Sequence, residues 1–123
     1  MKKLLLLLPF FLHALPTGGS PVSGEAVFAS NGSLLEINAS DRAIIDWESF
    51  SIDAGETARF IQPSPLSCAL NRVQGGHVSR IDGLLEANGQ IWIVNPNGLI
   101  VGKSGKIDAG AFLVEVERVV PRP

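Results

Sequence analysis

QIWIVNPNGLIVGKSGKIDAG, residues 90–110, sets a proline-asparagine-glycine reversal between two short apolar runs and meets a second glycine turn soon afterwards. Pro96 fixes φ and Asn97-Gly98 admits the left-handed region, so the chain is expected to reverse here. The run before the reversal is apolar at Ile91, Trp92, Ile93 and Val94. A sandwich strand wetted on one face would alternate apolar with polar residues. Gln90–Val94 therefore reads as a strand covered on both faces or lying within a wide sheet. The corner is expected to form early and to stack Ile91, Ile93, Leu99 and Val101 into a core.

The same grammar extends over the rest of the chain. Short apolar runs begin near residues 26, 34, 43, 50, 58, 69, 79, 84, 90, 99, 106 and 112. Asn31-Gly32, Asp53-Ala54-Gly55, Asn88-Gly89 and Asp108-Ala109-Gly110 separate several of them. Nothing past residue 20 reads as a helix. The spacing is tighter than the roughly 8–12 residues of a sandwich. Brief strands with frequent turns suit a parallel β-helix, in which inward residues stack with those of the next coil. Asn38, Asn71, Asn88, Asn95 and Asn97 are expected at or near its corners, where asparagine tolerates unusual backbone. No strict period is visible.

The first residues follow a different logic. Met1-Lys2-Lys3 is basic, and Leu4 to Leu15 is apolar except for Pro9 and His13. At about 1.5 Å per residue that stretch measures roughly 18 Å, short of the ~30 Å hydrocarbon core of a bilayer. It reads as a cleavable secretory signal, residues 1–20, cut somewhere between Ala14 and Ser20. Residues 21–123 would then be the exported domain.

Of 123 residues, 46% are hydrophobic, enough for one modest core. Without Lys2 and Lys3 the 10 basic residues fall to eight against 12 acidic ones. The remaining basic residues are scattered, which argues against a nucleic-acid partner. Cys68 is the lone cysteine. An internal disulfide is impossible, so no bridge can lock the chain before it crosses a membrane. Cys68 itself reads as a small buried hydrophobe.

Catalytic patterns fail one after another. Gly102-Lys103-Ser104 would complete a phosphate loop only with glycine at the position held by Asn97, and no helix follows. His77 has no nucleophile elbow to serve, and one His with one Cys is not a zinc site. Asp46, Glu48, Asp53 and Glu56 crowd the stretch DWESFSIDAGE. Paired carboxylates cleave glycosides, and β-helices can carry such sites, so a β-helical carbohydrate-active enzyme or glycan-binding module stays open. Acidic residues alternating with apolar ones also describe a strand's solvent face. Asn31-Gly32-Ser33 and Asn38-Ala39-Ser40 are sequons that matter only in a eukaryotic host. No catalytic residue, metal or cofactor is expected.

What remains distinctive is an ordered set of segments: IIDWESFSIDAGETARF, FIQPSPLSCALNRVQGG and SRIDGLLEANGQIWIVNPNGLIVGKSGKIDAG. Together they resemble the amino-terminal secretion domain of filamentous haemagglutinin-type exoproteins, the two-partner secretion family. The likeness runs from about Ala26 to Phe112. In that family an Asn-Pro-Asn-Gly signature follows an NGQ strand, as Asn95-Pro96-Asn97-Gly98-Leu99 follows Asn88-Gly89-Gln90. An Asn-Arg-Val segment lies upstream, as Asn71-Arg72-Val73 does. Part of the family has Asn-Pro-Asn-Leu there instead, so this chain resembles the large-adhesin branch. The resemblance implies an all-β, right-handed, single-stranded parallel β-helix of the pectin lyase-like type with an N-terminal cap. It implies a secretion domain of a surface adhesin from a Gram-negative bacterium rather than an enzyme. The chain would cross the periplasm largely unfolded, be recognised by an outer-membrane β-barrel transporter with periplasmic recognition domains, and fold at the cell surface. Host-surface glycans or proteins would be bound by downstream regions. Members usually continue past Val120-Pro121-Arg122-Pro123, so residues 21–123 imply a partial domain, or the remnant of a split adhesin gene. For Asn71, Arg72, Val73 and Asn95 to Leu99 two roles stand side by side: shaping the coil, and contacting the transporter.

Overall fold

The computed structural model describes residues 15–116; most of the expected leader, residues 1–14, lies outside them. The chain winds into a β-solenoid of about four coils. β3 (Leu34–Ala39), β5 (Thr57–Ile61), β8 (Leu84–Ala87) and β11 (Lys106–Asp108) stack as one parallel sheet. β4 (Ala43–Trp47), β6 (Cys68–Val73), β9 (Gln90–Val94) and β12 (Ala111–Glu115) form the second. A short third face pairs β7 (Ser79–Ile81) with β10 (Leu99–Val101), and Ile52 bridges to Ile81 beside it.

One end is closed differently. β1 (Ser20–Ser23) runs antiparallel to β4, and β2 (Ala26–Asn31) runs antiparallel to β3. These two strands form the cap that the family resemblance implied. Residues 15–19 join it through the bridge between Thr17 and Ser49.

Register explains both the core and the missing period. Leu34, Thr57, Leu84 and Lys106 occupy one row, so successive coils take 23, 27 and 22 residues. The longest contains the Pro63–Ser67 corner and the Gln74–Val78 loop. Alternate residues point inward and align across coils. Leu35, Ala58 and Leu85 form one buried row, and Ile37, Phe60 and Ala87 another, small residues offsetting large ones. Ala43, Ala69 and Ile91 line the opposite wall. Phe28, Trp47, Phe50 and Phe60 run as a chain of ring contacts from cap to second coil, with centroids 5.3, 5.4 and 6.4 Å apart.

Three expectations need correction. The run Ile91 to Val94 is not covered on both faces: Ile91 and Ile93 are buried, whereas Trp92 points outward and is 41% exposed. The strand nevertheless lacks alternation because its outer face is apolar too. Val101 is 47% exposed rather than core, because it occupies the last position of the row Ile52, Ile81, Val101, with no described coil above it. Asn71 lies in mid-strand rather than at or near a corner, whereas Asn38 is the penultimate residue of β3.

Gly89 shows why a corner can demand glycine without unusual φ. A Cβ there would fall 2.7 Å from the Ser67 carbonyl and 2.9 Å from the Gln62 amide. That amide also ties the corner: Gln62 accepts from Gly89 N at 3.0 Å and donates to Gln90 O at 3.0 Å. Gly89→Ala is expected to cost about 1–3 kcal/mol through this overpacking. Urea unfolding checks it, and a midpoint equal to the parent's would show that the corner yields freely.

Candidate functional site

The Asn-Arg-Val segment lies on β6 and the Asn-Pro-Asn-Gly turn joins β9 to β10, on consecutive coils. Asn71 occupies an inward position, in the row between Ile45 and Ile93, and is fully buried. Its Oδ1 accepts from Trp47 Nε1 at 2.8 Å, and its Nδ2 donates to Trp92 O at 3.3 Å. A buried polar side chain survives only with such partners. Arg72 points outward and binds Asp46 through two contacts, Nε to Oδ1 at 2.7 Å and Nη2 to Oδ2 at 3.1 Å. Val73 is core.

Asn95 is also fully buried. Its Nδ2 donates to His77 O at 3.0 Å and to Ser79 Oγ at 2.9 Å, while Oδ1 accepts from Asn97 N at 2.9 Å. This last bond is the side-chain turn that asparagine forms with its own backbone two residues on. Pro96 is half-buried and Asn97 exposed, with Asn97 Nδ2 donating to Gly75 O at 3.1 Å. Gly98 has φ +103, which side chains rarely adopt, and its N–H closes the turn onto Asn95 O at 3.0 Å. Leu99 packs half-buried against the core.

The two motifs therefore meet through the Gln74–Val78 loop. It leaves β6, is held below by Gln74 N to Trp47 O and Gly75 N to Glu48 O, and is held above by Asn95 and Asn97. Of the eight motif residues, Arg72 and Asn97 offer their polar groups to solvent, whereas Asn71 and Asn95 are sealed.

Two of the acidic side chains already have local partners. Asp46 is engaged by Arg72, and Glu56 closes its own turn by accepting from Asp53 N at 2.9 Å. Among the described residues no cluster of three or more His, Cys, Asp or Glu could hold a metal ion. On the first sheet Arg59 sits between Glu86 and Glu36, at 2.6 and 3.5 Å, and the hydrogen bond and charge of Glu86 raise its pKa above the usual value. Cys68 is half-buried rather than core; burial, then the charge of Asp41, pushes its thiol up.

Sequence reading missed the outer surface of the second sheet. Ile44, Leu70, Trp92 and Leu113 align across four parallel strands. Trp92 and Leu113 are 41% and 51% exposed and flank a shallow groove with Val94 and Glu115. The signal was the absence of polar alternation in Gln90–Val94, which a wet sheet face does not ordinarily allow.

Comparison with known proteins agrees with this geometry. The model of the family described as the TPS secretion domain matches residues 13–117. A heme/hemopexin-binding protein of Haemophilus influenzae is 40% identical over 109 residues, covering 85% of this chain and 12% of that protein. A second Haemophilus influenzae protein of the same description is 41% identical over 83 residues, 65% of this chain and 9% of its own length. The chain thus spans a small part of the relatives it matches. The crystal structure of the HMW1 secretion domain from Haemophilus influenzae superposes with a TM-score of 0.82 at 33% identity, over 85% of this chain and 28% of that one.

Proposed function

The chain belongs to the TPS secretion domain family, and from that premise we propose that its two asparagine motifs are read by a partner transporter before the solenoid closes. As a secretion domain of a two-partner exoprotein, the chain delivers a larger polypeptide. The observation that carries this reading is the sealing of Asn71 and Asn95. An outer-membrane barrel's periplasmic domains can touch those side chains only while the coils are open. Once wound, the same residues become interior fastenings. The recognised and folded states are then mutually exclusive, which gives the export step a direction. An extended segment around Asn71 or Asn95 offers free backbone for strand addition to a sheet edge of the transporter.

The exoprotein's activity at the cell surface, adhesive or otherwise, resides outside these coils. A heme- or hemopexin-binding role is a property of relatives of which this chain spans about a tenth. A carbohydrate-cleaving role has no support from the placement of Asp46 and Glu56.

Asn97 separates recognition from folding because it is exposed, and its loss costs the wound state little. With the partner transporter co-expressed, Asn97→Ala is expected to deplete the protein from the medium. The purified domain should melt within about 4 °C of the parent, since a change of about 0.5 kcal/mol moves a domain of this size by roughly 2–4 °C. Undiminished export would confine the motif to structural work.

A further inference from the structure

Residues 15–19 are part of the folded domain. Leu15 packs against the core and Pro16 is buried. Thr17 N donates to Ser49 O at 3.0 Å, Thr17 O accepts from Glu48 N at 2.9 Å, and the Thr17 and Ser49 hydroxyls are 2.6 Å apart. Gly19 lies flat against the aromatic row: a Cβ there would stand 2.6 Å from the Trp47 ring and 3.0 Å from Phe28. This segment is one cover of Trp47, which is 2% exposed.

The sequence rule for leader removal points elsewhere. A cleavage site favours small residues at the last position of the leader and two positions before it. Gly19–Ser20 satisfies both, with Gly19 and Thr17; Ala14–Leu15 satisfies the first only, with Ala14 and Leu12. Cutting at Gly19–Ser20 would discard every contact just described and strip one cover from the Trp47 indole, leaving Phe28 and Phe50 against it. Cutting at Ala14–Leu15 keeps them all.

We propose that the leader is hydrolysed at the Ala14–Leu15 bond, so that the exported protein begins at Leu15 and its first five residues complete the cap. The reaction is ordinary amide hydrolysis by the exporting cell's leader peptidase. The C–N bond breaks, water supplies hydroxyl to the Ala14 carbonyl carbon, and the Leu15 amine takes the proton. The new terminus is then seated beside the core instead of trailing from it.

This inference rests on the export reading, and one experiment tells the two apart. The full chain is expressed with its leader in a Gram-negative host, and the processed product is characterised by intact mass and amino-terminal sequencing. The expected first residue is Leu15. A product beginning at Gly18, Gly19 or Ser20 overturns the position and leaves export standing; a product retaining Met1 in the cytosol overturns both. Ala14→Leu supplies the second arm, because it alters the proposed bond and no residue of the described fold. It is expected to abolish processing and leave full-length precursor. Continued release of a product of unchanged mass would place the cut elsewhere and sink the proposal.

Discussion

Phe50→Ala is expected to unfold the domain far more easily yet to leave export intact. Phe50 is 1% exposed and stands between Trp47, edge-on at 5.4 Å, and Phe60, stacked at 6.4 Å. Truncating a buried phenylalanine removes its transfer free energy and leaves a cavity that neighbours only partly fill, together about 3–5 kcal/mol. For a domain near 100 residues each kcal/mol lowers the melting temperature by roughly 4–8 °C, so a fall of about 12 °C or more is expected in a thermal melt. Phe50 lies outside both asparagine motifs. If the transporter reads an open chain, the amount released to the medium stays at the parent's level while the released product becomes protease-sensitive. Release that declines in step with stability would mean that a wound domain is what the transporter handles.

Asn95→Ala strikes the corner itself. It removes four hydrogen bonds and strands the His77 carbonyl, the Ser79 hydroxyl and the Asn97 backbone amide in or near the interior, Asn97 Nδ2 keeping Gly75 O. A buried group left without its partner costs about 1–3 kcal/mol. Not all three are fully sealed, so a total near 3 kcal/mol is expected, read as a lowered urea midpoint at unchanged slope. A loss below about 0.5 kcal/mol, the range of an ordinary surface change, would show that the turn holds without its asparagine. The contrast with Asn97→Ala is informative. The two asparagines are two residues apart on one turn, yet one is an interior fastening and the other a surface group.

Much of this architecture was legible in the chain. Asn31-Gly32, Asn97-Gly98 and Asp53-Ala54-Gly55 mark reversals in which Gly32, Gly98 and Gly55 all adopt positive φ. The strand starts were readable because each apolar run is short and ends at a turn residue. The cap was less so. β1 is Ser-Pro-Val-Ser, with no apolar run to announce it, and it exists because β4 offers an edge. The repeat was hidden because corners absorb different lengths: 27 residues pass between Thr57 and Leu84 but 22 between Leu84 and Lys106. The burial of the motif residues was not readable. Asparagine on an inward strand position contradicts the usual apolar pattern, and Asn71 is acceptable there because the Trp47 indole and the Trp92 carbonyl satisfy its amide.

Each coil is bonded only to those beside it, and that has a mechanical consequence. Among the described residues, tension entering through β12 meets a strand held on one side, by β9. The load is not shared with the coils beneath, so the domain peels in discrete steps rather than rupturing at once. A turn of 22 to 27 residues pays out roughly 75–95 Å when drawn straight. Run in reverse, every turn that winds takes up that same length of slack.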